Sequence, residues 1–464
     1  MKKVFLVIGY WSLFHCLHAQ SVKEKLGQAY QQFESDSQLR HAISSLYVIN
    51  AKTSEVVFDK NSQVGLAPAS TQKIIIATTA FELLGKDYRY KTVFTFQHFD
   101  AATQRLVVYG SGDPTFGSWR FKETVDSTIF DSVITRIKSL HGSYIDNVNI
   151  SMNGDSRQIP GGWIFEDIAN YYGAGSHCLN WHENQYDVDL KPGEKINDPT
   201  NIIMTPQLKR WRSINNEVKT GPAGSGDNAY IYFIPGDDEL LIQGTIPIGA
   251  KKFTISGADP DPVTNFSGSF VNYAISKGVK VASKTIGEIP FHDDLDPLLM
   301  KSGFYTHYSP PLDSIIYWFL QKSINLYGEA LIKTFAYEKK GFESTDTGVV
   351  IVKDFWKQKG LDENELNIYD GSGLSPLNRV TTHAQVEILK YAKQRPWFPY
   401  FFNALPEYNN MKMKSGSISD VKGFCGYHTS GGGSQYIFSF LINNYSGSSS
   451  ALVNKMYKVL DVLK

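Results

Sequence analysis

The side chains best suited to chemistry in this chain are those of Ser70 and Lys73, in the segment Ser70-Thr71-Gln72-Lys73. A serine hydroxyl is a weak nucleophile until a base removes its proton. The segment leads into the apolar stretch 74–84, which predicts a buried helix, and helix residues three apart share one face. Burial and a nearby second cation both lower the pKa of a lysine. The pair therefore predicts a serine nucleophile with a lysine base that works near neutral pH.

Two further motifs follow in the order that a serine acyl-transfer site of this kind requires. Ser323-Ile324-Asn325 lies between two stretches of helical periodicity, and Lys414-Ser415-Gly416 lies in a predicted β-strand. Glycine in a strand lets another backbone approach closely, and we expect Gly416 to admit a substrate. Each motif alone is weak evidence. Together, in this order and in these settings, they predict a single acylation site.

The chain also contains copies of the same motifs in settings that do not fit. Ser419-Asp-Val-Lys422 lies between strand-like segments and has no helix after it. Ser213-Ile-Asn215 and Lys219-Thr-Gly221 lie close together inside a strand-rich region, so they cannot occupy opposite sides of one cleft. We therefore reject these copies as parts of the site.

Hydrophobic periodicity predicts the elements that must position these motifs. Helices are predicted at 21–33, 74–84, 124–140, 312–321, 326–339, 348–357, 382–394 and 452–463. Strands are predicted at 46–50, 55–59, 92–96, 106–109, 148–152, 229–234, 239–246, 411–417, 423–428 and 435–443. The region from about residue 90 to about residue 290 is rich in short strands and has the size of a separate domain.

The composition excludes some classes of protein. Lys and Arg total 46, as do Asp and Glu, and a balanced charge argues against a nucleic-acid-binding surface. The 11 histidines are scattered without zinc-ligand spacing, so we expect neither a catalytic metal nor another cofactor.

The first residues predict export. Residues 1–19 combine two lysines, an apolar run and Ala19 as a plausible cleavage residue, which is typical of a signal peptide. No later stretch is apolar enough to span a bilayer, so we expect a mature chain without a transmembrane segment, in the periplasm or cell envelope, where it could associate loosely with the membrane. Its two remaining cysteines, Cys178 and Cys425, could pair there, although two buried free thiols are the simpler expectation.

Beyond the three motifs, four further segments carry a resemblance to a known family. They are Gly110-Ser-Gly-Asp-Pro-Thr115, Tyr171-Tyr-Gly-Ala174 with Asn180 and Asn184, Asp370-Gly-Ser-Gly-Leu-Ser375, and Asn378-Arg-Val380. With these segments the chain resembles the class C low-molecular-mass penicillin-binding proteins. These are D-alanyl-D-alanine carboxypeptidases and endopeptidases of the penicillin-binding protein 4 type. The resemblance covers nearly the whole mature chain.

The resemblance implies an α+β fold. Residues 20–90 and 296–464 would form a transpeptidase-like domain, in which terminal helices cover an antiparallel sheet and a helical lobe completes the site. Residues 91–295 would form one or more inserted, strand-rich domains. The glycine-rich segment 370–375 we interpret as a structural turn at the edge of the cleft.

The resemblance also implies a role for each motif residue. Ser70 would be the nucleophile, Lys73 its base, Ser323 a proton relay to the leaving amine, and Asn325 a contact to the substrate peptide. Lys414 would supply positive charge, and the Ser415 hydroxyl would bind the terminal carboxylate. The backbone N–H groups of Ser70 and Ser417 would form the oxyanion hole.

Two positions depart from the usual pattern of the family. Ser415 replaces threonine, which keeps the hydroxyl, and Gly328 replaces alanine in the segment after Asn325. Glycine inside a helix should weaken that helix slightly, and the sequence offers no reason for it.

The sequence therefore predicts a serine D-Ala-D-Ala carboxypeptidase or DD-endopeptidase that acts on peptidoglycan stem peptides and is inhibited covalently by β-lactams. One alternative is a serine β-lactamase, although no convincing Glu-x-x-Leu-Asn segment is present. Another is a catalytically idle cell-wall-binding protein of the same fold, although nothing structural requires all of these side chains together.

Overall fold

The computed structural model describes residues 21–98, 104–141, 143–154, 157–205, 208, 211–283, 286–291 and 296–464. The helices are α1 Val22–Glu34, α2 Lys73–Leu83, α3 Asp126–His141, α4 Phe165–Ile168, α5 Pro262–Ser276, α6 Asp296–Lys301, α7 Leu312–Gln321, α8 Asn325–Lys340, α9 Thr345–Gln358, α10 Thr382–Lys393, α11 Phe398–Ala404 and α12 Ser449–Leu460.

Most of the strands belong to four larger sheets, and the remaining ones form separate two-stranded pairs. They are β1 Ile43–Asn50, β2 Val56–Lys60, β3 Lys91–His98, β4 Gln104–Tyr109, β5 Tyr144–Ile145, β6 Val148–Met152, β7 Gln185–Lys191, β8 Asn201–Ile203, β9 Ser213–Gly221, β10 Asn228–Tyr232, β11 Glu239–Pro247, β12 Phe253–Ala258, β13 Lys280–Val281, β14 Ile286–Pro290, β15 Tyr305–Tyr308, β16 Leu366–Asn367, β17 Arg379–Val380, β18 Glu407–Tyr408, β19 Met411–Ile418, β20 Val421–Thr429 and β21 Gln435–Asn443.

One six-stranded antiparallel sheet joins the two ends of the chain, in the order β18-β19-β20-β21-β1-β2. Successive side chains along each strand point to opposite faces of the sheet. Both faces are buried, which explains why the strands are apolar along nearly their whole length. The terminal helices α1 and α12 cover one face, where Leu26 and Phe33 pack with Leu452 and Met456. The predicted sheet with its covering terminal helices is confirmed.

A helical lobe covers the other face of this sheet. Its core is formed by α2, α7, α8, α9, α10 and α11, and residues such as Ile75, Phe319 and Phe335 are wholly buried in it. Helix α2 is apolar on all sides because it passes through the middle of this core. That burial fixes Lys73 at the first residue of α2, where it cannot reach solvent.

The chain between β2 and α7 contains the inserted region. A five-stranded mixed sheet, β14-β6-β4-β3-β15, packs against α3 and α5 through Phe94, Phe130 and Phe266. Two three-stranded sheets, β10-β11-β9 and β12-β7-β8, form a second cluster around Val188 and Ile242. The rejected motif copies Ser213-Ile-Asn215 and Lys219-Thr-Gly221 lie on the single strand β9.

The sequence-based boundary at residue 295 falls in a stretch outside the described residues, as does the predicted signal peptide at 1–19. Strand β15 pairs with β3, so we propose that the inserted region extends to Tyr308. Cys178 and Cys425 are both buried free thiols. Among the described helices, none combines the length and apolar character needed to cross a bilayer.

Candidate active site

Ser70 lies on a short turn of 3-10 helix, Ala69–Gln72, that leads directly into α2. Ala69, the residue before it, has a φ of 46° in the left-handed region. A non-glycine residue there is strained, and such strain is concentrated at functional sites. The turn presents the Ser70 side chain to a cavity while its neighbours Thr71 and Gln72 remain buried.

The Lys73 ammonium nitrogen makes three close polar contacts. Nζ lies 2.9 Å from Oγ of Ser70, 2.6 Å from Oδ1 of Asn325 and 2.7 Å from the carbonyl oxygen of Ser372. Burial, reinforced by the nearby positive charge of Lys414, holds the pKa of Lys73 well below its usual range. A lysine whose charged form is disfavoured in this way is suited to accept the proton of the Ser70 hydroxyl.

The second motif lies in the connection from α7 to α8. Ser323 has a φ of 57° and lines the cavity, and Asn325 begins α8. The amide nitrogen Nδ2 of Asn325 donates a hydrogen bond to the carbonyl oxygen of Tyr172 at 2.7 Å. Because that contact uses the NH2 group, the amide oxygen faces Lys73. Tyr172 belongs to the inserted region, which thus orients one residue of the site.

The third motif lies on β19 at the opposite side of the cavity. Lys414 is buried, and its Nζ donates to the carbonyl oxygen of Ser415 at 2.9 Å. Burial lowers the pKa of Lys414 to about 8. A Cβ atom on Gly416 would lie 2.6 Å from the oxygen of Pro68 and 2.9 Å from the nitrogen of Ser70. The structure thus adds a reason for this glycine: the strand touches the turn that carries Ser70.

The cavity has a volume of about 810 Å³ and collects several of the predicted residues. Ser70, Ser323, Asn325 and Ser417 line it, whereas Lys73 and Lys414 lie beneath its surface. Its wall also carries side chains that the sequence motifs did not indicate, two of them acidic and two basic: Glu166, Asp167, Arg120 and Lys322. Burial raises the pKa of Asp167 to about 6.

The segment 370–375 contributes more than the structural turn that the sequence suggested. Asp370 is wholly buried and accepts hydrogen bonds from the N–H groups of Gly373 and Ser375 and from the indole of Trp163. These bonds hold the loop against α2, where the carbonyl oxygen of Ser372 accepts a hydrogen bond from Nζ of Lys73. A backbone carbonyl has no sequence signal of its own, so only the motif's acidic residue could have pointed to this role.

Comparison with known proteins identifies the family of the chain. Residues 26–463 match the model of the D-Ala-D-Ala carboxypeptidase 3 (S13) family. A D-alanyl-D-alanine carboxypeptidase of Actinomadura sp. (strain R39) is 26% identical over 450 residues, which cover 90% of this chain and 81% of that protein. The D-alanyl-D-alanine carboxypeptidase DacB of Haemophilus influenzae is 21% identical over 428 residues, covering 86% and 84%.

The crystal structure of penicillin-binding protein 4 (dacB) from Haemophilus influenzae superposes with a TM-score of 0.77 at 18% identity, covering 94% of this chain and 98% of that one. Fold and site thus define a serine peptidase of the penicillin-binding class. The chain belongs to the D-Ala-D-Ala carboxypeptidase 3 (S13) family. The predicted family, the α+β fold class and the serine D-Ala-D-Ala carboxypeptidase activity are confirmed.

Proposed function

We propose that this chain cleaves D-Ala-D-X bonds in peptidoglycan stem peptides through an acyl-enzyme on Ser70. The observation that carries the proposal is the buried Lys73 amine, 2.9 Å from the Ser70 hydroxyl and depressed in pKa. A neutral amine at that distance can take the hydroxyl proton as the oxygen attacks.

The remaining motif residues supply the other steps. Oγ of Ser70 bonds to the carbonyl carbon of the penultimate D-alanine, its proton moves to Lys73, and the N–H groups of Ser70 and Ser417 hold the oxyanion. Collapse of this intermediate breaks the amide bond, and the leaving amine takes the proton from Lys73 through Ser323. The hydroxyl of a water molecule then bonds to the ester carbonyl carbon, the second proton of that water passes through Lys73 to Oγ of Ser70, and the ester bond breaks to release the shortened peptide.

Substrate binding falls to the groups around this centre. Lys414 and the Ser415 hydroxyl attract the terminal carboxylate, and Asn325 contacts the peptide backbone. The cavity is large enough for several residues of a stem peptide, and its wall carries both acidic and basic side chains. Cleavage of cross-linked stem peptides, the DD-endopeptidase reaction, would use the same centre.

Such a substrate is found outside the cytoplasm, which fits the predicted export of the chain to the periplasm or cell envelope. The Haemophilus influenzae penicillin-binding protein 4 has also been solved in complex with a β-lactam. We propose that β-lactams acylate this chain as well, because their strained amide presents a carbonyl to the same serine.

The test is to incubate the mature protein with benzylpenicillin, follow its intact mass and map the adduct. We expect a long-lived adduct on the peptide that contains Ser70, and none with Ser70→Ala. The matched control is Ser213→Ala, in the rejected motif copy on β9, which should be acylated normally. Penicillin hydrolysis without an adduct would indicate a β-lactamase instead, and neither adduct nor hydrolysis would indicate an idle protein.

A further inference from the structure

The three contacts of Lys73 determine where its lone pair points, if Lys73 is the base as proposed above. The carbonyl oxygen of Ser372 and Oδ1 of Asn325 are acceptors only, so each takes an N–H bond. A neutral amine has two N–H bonds and one lone pair. When each N–H bond of Lys73 donates to one of these two carbonyl oxygens, the lone pair faces the third contact, Oγ of Ser70. This hydroxyl is 2.9 Å away and can donate a hydrogen bond to the lone pair.

One of these two acceptors depends on the position of the loop 370–375. The N–H group of Gly371, the residue before Ser372, donates to Oε2 of Glu329 at 3.1 Å. Glu329 lies one helical turn after Asn325 on α8, so both acceptors of Lys73 are held by the same face of this helix. Glu329 is wholly buried, and its contact to the loop cannot be replaced by water.

The charge state of Glu329 suits this role. Burial, together with the nearby Asp370 carboxylate, raises the pKa of Glu329, which favours its neutral form. A neutral carboxyl holds the loop without stabilising the charged form of Lys73. The titratable groups that face Lys73 are Lys414 from β19, Asp370 from the loop and Glu329 from α8; Lys414 lowers the pKa of Lys73, and the two carboxyl groups raise it to the extent that they are charged.

Gly328 contributes space next to this contact. A Cβ atom on Gly328 would lie 2.6 Å from the carbonyl oxygen of Gly371, and one on Gly371 would lie 2.0 Å from that of Gly328. The backbones of helix and loop therefore touch. The glycine that departs from the family's usual alanine lets the loop lie this close to α8.

We propose that Glu329 and Gly328 are positioning residues that place the Ser372 carbonyl on Lys73 and so direct the lone pair of the base at Ser70. Neither residue lines the cavity, so neither is expected to touch the substrate. Their effect should be on the acylation rate and on the titration of Lys73.

The test compares Glu329→Leu with Glu329→Gln by measuring the rate constant for Ser70 acylation by benzylpenicillin across pH. Glutamine keeps an acceptor for the Gly371 N–H, whereas leucine removes it. We expect Glu329→Leu to lower the plateau rate about 10- to 100-fold, the cost of misplacing a catalytic group by about 1 Å. The acidic limb of the pH–rate profile of this variant should move to lower pH. The charged form of Lys73 loses the Ser372 carbonyl oxygen as an acceptor, so the pKa of Lys73 falls. Glu329→Gln should stay close to the wild type in both respects.

Gly328→Ala tests the same loop without changing a polar group. Its added methyl should lower the plateau rate of acylation and move the acidic limb of the pH–rate profile to lower pH, as in Glu329→Leu. The matched control is Gly27→Ala on α1, where an added Cβ meets nothing within 4 Å. Thermal melting of each variant checks folding. Two results would overturn this inference and leave the proposed function intact. One is a slower acylation rate without a shift of the acidic limb of the pH profile, and the other is equal rates for Glu329→Leu and Glu329→Gln. Absence of any Ser70 adduct on the wild type overturns the proposed function as well.

Discussion

At the residue scale, the site depends on two lysines that the fold keeps out of water. Burying an amine disfavours its charged form, and this effect lowers the pKa of Lys73, the base in the proposed acylation. The sequence could predict this much, because Ser70 and Lys73 stand three apart before an apolar helix. It could not predict the contact with the Ser372 carbonyl, since any residue type supplies the same backbone oxygen.

The two lysines predict a bell-shaped pH dependence of kcat/KM for D-alanine release. Activity should rise as Lys73 loses its proton, because only the neutral amine is a base, and fall near pH 8 as Lys414 loses the charge that attracts the carboxylate. Arginine stays protonated throughout this range. Lys414→Arg should therefore have a lower rate but an alkaline limb displaced upwards. An alkaline limb that stays near pH 8 in this variant would assign it to another group.

At the element scale, the helices and strands that carry the three motifs follow the sequence closely. Helix α2 follows Ser70 and Lys414 lies on β19, as predicted, whereas α8 begins one residue earlier than predicted, at Asn325. Periodicity indicates which residues form an element but not which elements meet. The approach of β19 to the Ser70 turn and of α8 to the loop 370–375 depends on glycines whose neighbours are distant in sequence.

Gly416→Ala tests the first of these approaches. The added methyl would lie 2.6 Å from the oxygen of Pro68 and 2.9 Å from the nitrogen of Ser70, so β19 and the Ser70 turn must move apart. We expect acylation by benzylpenicillin to slow about 100-fold, because both oxyanion donors are displaced. Gly432→Ala is the control, in the connection from β20 to β21, where the nearest atom to an added Cβ is 3.8 Å away. A wild-type acylation rate for Gly416→Ala would contradict this account of the glycine.

At the scale of the whole molecule, the inserted region is part of the site. Its Tyr172 carbonyl orients Asn325, its Trp163 indole donates to Asp370 at 2.9 Å, and its Gly162 carbonyl accepts from the Ser375 hydroxyl at 2.9 Å. The sequence predicted a strand-rich inserted region at 91–295 but left its role open among substrate recognition, a partner surface and a spacer. These contacts link residues about 150 to 210 positions apart, which no local pattern could indicate.

Trp163→Phe measures how far the catalytic centre depends on the inserted region. Removing the indole N–H leaves a buried carboxylate oxygen of Asp370 with one donor fewer, which should cost about 1–3 kcal/mol of stability. The loop 370–375 should exchange its amide hydrogens faster, and acylation of Ser70 should slow by about tenfold because the Ser372 carbonyl is held less firmly.

The control is Trp397→Phe in the helical lobe, which removes a similar indole hydrogen bond, 2.8 Å long, to Glu82. Both variants should lose comparable stability, but only Trp163→Phe should slow acylation, because only its lost bond supports the loop that holds Lys73. Equal acylation rates in the two variants would mean that the inserted region contributes stability alone. A selective loss would mean that the base is oriented from two directions, by α8 from within the transpeptidase-like domain and by the insertion from outside it.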